Sequence, residues 1–88
     1  MYTQEDWWNL KEDISIGDKI TFKTTNAERK QPLEVIDQEK DDYIIESKRG
    51  TKYILGLSEI HPLEPYSLTI RKKNGYDSLG EVTNIQIH

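Results

Sequence analysis

The stretch YIIESKRGTKYIL, residues 43–55, places two alternating apolar arms around a basic tip, the pattern of a β-hairpin. Two loop geometries are open to it, and they pair different residues. A two-residue type I′ loop at Arg49-Gly50 puts Arg49 at positive φ, which costs a non-glycine residue about 1 kcal/mol or more. A three-residue loop, Lys48-Arg49-Gly50, asks for positive φ only at the glycine. That register sets Ser47 against Thr51, Ile45 against Tyr53 and Tyr43 against Leu55 on one face. On the other it sets Glu46 against Lys52 and Ile44 against Ile54. Because it joins unlike charges and like apolar partners, it is the register expected, with Tyr43, Ile45, Tyr53 and Leu55 facing a core.

Toward the N-terminus, QEKDD is a wholly polar turn and LEVIDQ a strand with Leu33 and Val35 on one face. The stretch TTNAERKQ has almost no apolar anchor and reads as a loop closed by Pro32. In GDKITFKT, Ile20 and Phe22 alternate with Lys19, Thr21 and Lys23, a half-buried strand. The opening TQEDWWNLKEDI fits a short helix that ends before Ile16-Gly17. Thr3 is its N-cap, acidic residues fill its first turn, and Trp7, Leu10 and Ile14 share a face. Trp8 lies about 100° from Trp7 on such a helix, so only one indole points squarely inward.

Toward the C-terminus, GLSEIHP offers Ser58 as the cap of one short helical turn that Pro62 stops. SLTIRKK alternates, with Leu68 and Ile70 inward and Thr69 and Arg71 outward. Asn74-Gly75 is the strongest short hairpin signal in the chain. Pairing outward from it sets Lys73 against Tyr76 and Ile70 against Leu79, but Leu68 against Glu81. A bulge at Gly80 restores Leu68 to Val82. The last strand, GEVTNIQI, shows Ile85 and Ile87 on one face.

With 88 residues the chain is read as one domain with a small core, and 34% hydrophobic residues in short regular clusters mark it as folded. It contains no cysteine, which excludes disulfides, thiolate metal sites and cysteine nucleophiles. No apolar run spans a bilayer and the acidic N-terminus is unlike a signal peptide, so no membrane association and a cytosolic location are expected. The formal charge of −4 is unevenly spread. Glu5, Asp6, Glu12, Asp13 and Asp18 face only Lys11 in the first 18 residues, and the remainder is neutral overall with room for basic patches.

Six short strands in meandering order give the expected class: mostly β, a small antiparallel barrel or curved sheet of five to six strands, with a short N-terminal helix. From SIGDKITF through the 43–55 hairpin to LSEI, about residues 14–73, the chain resembles SH3-like barrels. The resemblance is one of fold and carries over no functional residue. The N-terminal helical extension (1–16) and the C-terminal hairpin strand (74–88) flank the barrel core (17–73) that it covers.

A core this small leaves little room for a catalytic pocket, and no catalytic residue, metal site or cofactor motif is found. His61 and His88 lack metal-ligand spacing and read as surface residues. Two basic tips stand out: Lys48, Arg49 and Lys52, and Arg71, Lys72 and Lys73. With Tyr76 as a stacking residue, they form the surface expected for weak, salt-dependent contact with nucleic acid, RNA or DNA, by a non-enzymatic binding module. Charged strand ends also protect sheet edges, which is the commoner reason for such clusters. The alternative is a protein partner, bound through Tyr2 and Trp8 on the acidic helix or through an exposed strand edge. Against that surface stands the expectation that both indoles cap an open end of the barrel. A monomer or a weak homo-oligomer fits either case.

Overall fold

The computed structural model describes residues 2–58, 67–75 and 78–88. Helix α1 (Gln4–Lys11) precedes six strands: β1 (Lys19–Thr24), β2 (Glu28–Glu39), β3 (Asp42–Glu46), β4 (Lys52–Ser58), β5 (Ser67–Lys72) and β6 (Ser78–Ile87). The strands pair antiparallel in chain order, and β6 returns to β1 to close the barrel. Among the described residues closure pairs each strand with two neighbours, and the first half of β2 (28–33) is paired on its β1 side alone.

The 43–55 hairpin has the three-residue loop. Tyr43 pairs with Leu55, Ile44 with Ile54, Ile45 with Tyr53 and Glu46 with Lys52. Gly50 alone in the loop has positive φ, at 86°, and the Ser47 N–H donates to the Thr51 carbonyl at 2.9 Å. The four residues expected in the core are buried together with Ile20, Phe22, Leu33, Val35, Leu68, Ile70 and Val82.

The stretch read as a loop from Thr24 to Gln31 is largely strand. The Thr24 N–H donates to the Ala27 carbonyl at 2.7 Å, and the Thr24 hydroxyl accepts the Ala27 N–H at 3.0 Å. This closes a tight turn, after which β2 runs for 12 residues. Its first half is solvated and polar, so apolar alternation gave no sign of it. Pro32 falls inside a register break: Ile20 pairs with Leu33, but Phe22 pairs with Arg29. A residue with no N–H is tolerated where the ladder is already interrupted.

Three further bulges bend the sheet. Ile36 is the extra residue opposite β3, and Thr83 the extra residue opposite β1. Thr83 resets the side-chain alternation, which is why Val82 and Ile85, of opposite parity, are both buried. Between Arg71–Ser78 and Ile70–Gly80 the extra residue is Leu79, next to Gly80 at φ 95°. A bulge is therefore present one residue earlier than expected, so that Ile70 faces Gly80 rather than Leu79, and Leu68 and Val82 share the core. The pairing of Lys73 with Tyr76 and the helical turn at 59–62 lie outside the described residues.

Helix α1 covers one end of the barrel. Thr3 and Asp6 form a reciprocal capping box, with the Thr3 N–H on the Asp6 carboxylate at 2.9 Å. Trp7 is fully buried and meets the Tyr43 ring edge-on, with centroids 5.8 Å apart. The Tyr43 hydroxyl donates toward the Lys11 and Ile14 carbonyls at 3.3 and 3.4 Å, tying the end of the helix to β3. Trp8 does not share this burial: it is 55% exposed, so the expectation that both indoles cap the barrel is corrected. The 100° step between adjacent helical residues decides which one enters.

Gly56 in β4 supports this packing by lacking a side chain, because a Cβ there would collide with the Asp42 carboxylate. Gly56→Ala is expected to destabilise the protein by about 1–3 kcal/mol in urea unfolding. Adding Asp42→Ser should recover part of the loss, and a neutral Gly56→Ala would show that the contact is not limiting.

Candidate functional site at the basic end of the barrel

Chain direction sorts the loops. In the antiparallel order the turns at 24–27 and 47–51 fall at the end opposite the Lys40-Asp41 turn, beside which α1 sits. There the Lys11 ammonium reaches the Asp41 carboxylate at 2.9 Å. The KRG tip and Trp8 therefore stand at opposite ends.

At the end away from the helix, β2 and β3 part company. They pair from Glu34–Glu46 onward, but residues 28–33 run past that point, paired with β1. Between this free-running arm and the 47–51 tip lies a half-open groove of about 530 Å³. Arg29, Lys30, Lys48 and Arg49 line it against a single carboxylate, Glu28, and Pro32, Leu33 and Tyr53 add apolar surface. No ion pair among the described residues involves any of these four cations.

The second basic tip is arranged differently. The Lys73 ammonium is 3.6 Å from the Glu39 carboxylate, and Lys52 pairs in register with Glu46. Arg71 lies near enough to Asp42 to act on its charge. Lys72 is half-buried, in register with Tyr53. The structure thus brings Lys48 and Arg49 to one groove and gives Lys52, Arg71 and Lys73 acidic neighbours. Tyr76 and His61 lie outside the described residues. His88 is a surface residue, its Nε2 2.9 Å from the Thr21 hydroxyl.

Arg29 and Lys30 were missed because their segment reads as a loop. The usable signal was the threonine of TTNA: once Thr24 closes a tight turn, ERKQP must run back antiparallel to TFKT and toward the KRG tip.

On the helix side, Tyr2 is half-buried and structural. Its hydroxyl accepts the Ile85 N–H at 3.3 Å and its carbonyl accepts the Leu68 N–H at 3.4 Å. Among the described residues Trp8, and Ile16 at 61% exposure, are the large apolar side chains left outside. Among the described residues no cluster of His, Asp or Glu could hold a metal ion, and no helix is long and apolar enough to cross a membrane.

No protein-family model, curated protein or solved structure gives a significant match to the chain.

Two outcomes follow from this electrostatic layout. Burial pushes the Asp42 carboxyl above its ordinary value of 3.8, Arg71 opposes the shift, and Asp41 and Glu39 add to it. A carboxyl whose folded value is raised binds its proton more tightly when folded, so its stabilising contribution is complete below 3.8 and lost as pH rises through the raised value. Asp42→Asn should therefore raise the urea midpoint relative to the parent at neutral pH by more than it does in acid. An advantage that shrinks with rising pH would overturn this assignment. Separately, Trp8→Phe should remove the acrylamide-quenchable part of the fluorescence and leave the blue-shifted emission of Trp7, with a stability change within about 0.5 kcal/mol.

Proposed function

We propose that the protein is a non-enzymatic binding module that holds nucleic acid in the groove between the first half of β2 and the KRG tip. The observation that carries this reading is the convergence of Arg29, Lys30, Lys48 and Arg49, from two different hairpins, on one groove. Their charges have no ion-pair partners among the described residues. Cations left unneutralised on both walls of a groove are the electrostatic footprint of phosphate binding, and their attraction falls with salt. The overall negative charge is concentrated at the helix end, away from the groove, and does not oppose it locally. Lys73 is ion-paired with Glu39 and Lys72 is half-buried, while Lys52 and Arg71 are exposed, line no part of the groove and add to its surrounding positive field. The barrel is further proposed to be of the SH3-like type, on the support of the Gly17-Asp18 entry to β1 and the 43–55 hairpin. β6 is an addition to that pattern.

A second reading rests on the other end. Trp8 and Ile16 are exposed among Glu5, Asp6, Glu12 and Asp13, an apolar and acidic composition suited to a protein partner.

The test is an amide-shift titration of ¹⁵N-labelled protein with short oligonucleotides at low and high salt. Shifts are expected at residues 28–31 and 47–51 in low salt, lost at high salt. Lys48→Ala with Arg49→Ala should weaken binding and flatten its salt dependence, while unchanged affinity would sink the assignment. Shifts confined to residues 5–16 on adding a protein partner would favour the second reading.

A further inference from the structure

Resting on the nucleic-acid reading of the groove, we infer that the site grips the phosphodiester backbone and is blind to base sequence. Base readout needs aromatic faces on which bases can stack, or polar side chains, arginine above all, held in place against base edges. Among the described residues the groove has no exposed aromatic face, and no ion pair fixes the guanidinium of Arg29 or Arg49. Its aromatic, Tyr53, is only 5% exposed, and the neighbouring barrel aromatics Phe22 and Tyr43 are 3% and 4% exposed. Trp8, the exposed indole, lies at the far end of the barrel.

The polar side chains are equally unsuited. The Ser47 hydroxyl is already engaged, accepting the Thr51 N–H at 3.2 Å. Among the described residues Gln31 is the single amide along the groove. One amide is the number used to read one base, too few to define a sequence. The cations, by contrast, stand on both walls. Four of them allow at most about four phosphate contacts, which bounds the salt dependence: log K against log salt has a slope no steeper than about −2.8 for a single strand and −3.6 for a duplex.

Glu28 sharpens the inference. It is the one carboxylate in a groove otherwise lined by cations and neutral groups, and it repels phosphate whatever base the phosphate carries. Neutralising it should tighten binding to every sequence by the same factor. A residue that read bases would change the ranking of sequences.

The experiment measures affinity by fluorescence anisotropy for dT, dA and dC 12-mers, a mixed-sequence single strand and two 12-base-pair duplexes of different sequence, at several salt concentrations, for the parent and Glu28→Gln. The inference expects the single strands to agree within about twofold. It expects each to lose no more than about 50-fold between 50 and 200 mM salt. Glu28→Gln should tighten all of them together. The duplex arm tells which source of phosphodiester fits the groove better, and equal affinity among duplexes of different sequence supports the same inference. A tenfold preference for one sequence, or a Glu28→Gln effect confined to one, would overturn sequence-blind binding while leaving the nucleic-acid reading in place. No binding to any oligonucleotide at 50 mM salt would overturn both.

Discussion

Everything in this structure follows from the closure of six strands on themselves by the pairing of β6 with β1. An 88-residue chain can hide only a modest share of its surface, and a closed barrel gives every strand two neighbours and one shared interior. Closure demands strong curvature from short strands. The bulges at Ile36, Leu79 and Thr83 and the break around Pro32 supply it. The groove is a by-product of the same demand. To reach β1, the first half of β2 swings away from β3, and the space left beside the KRG tip is lined by whatever side chains those two segments carry.

The two ends of the barrel solve different problems. At one, α1 fills the opening with Trp7, fixed by its edge-on contact with Tyr43 and by the Tyr43 hydroxyl on the helix carbonyls. This end carries most of the acidic surplus. At the other, Tyr53 and Leu33 are buried and line the groove, and among the described residues no helix lies over them. Charge separation along the barrel is thus tied to which end needs a plug, and it leaves the uncovered end free to carry cations.

How much of this was legible in the sequence depends on regularity. The β3–β4 hairpin is paired without a break, and there alternation and turn chemistry led to the correct register, the correct core face and the correct glycine. Where the ladder is interrupted, period-two reasoning failed. The outer arm of β2 has no buried residue before Leu33, so nothing in its hydrophobicity distinguishes it from a loop. Arg29 and Lys30 went unseen for that reason, although half of the groove is theirs. The bulge beside Gly80 was legible because an apolar residue otherwise faced a charge, whereas the one at Thr83 showed only as a parity conflict between Val82 and Ile85, which the reading of a single face for Ile85 and Ile87 passed over. At the second basic tip the cations were found but not their partners, since Glu39 and Asp42 reach Lys73 and Arg71 across strands far apart in the chain.

Closure also divides the entropic cost of pairing unevenly along the chain. The 43–55 hairpin brings together residues only a few positions apart, and it can form early at little entropic cost. The β1–β6 ladder joins Ile20 to Ile87, residues far apart in the chain, and closes the longest loop of any ladder in the barrel. In that sense the barrel is a clasp: five of its ladders join strands adjacent in sequence, and the sixth fastens the two ends of the meander to each other.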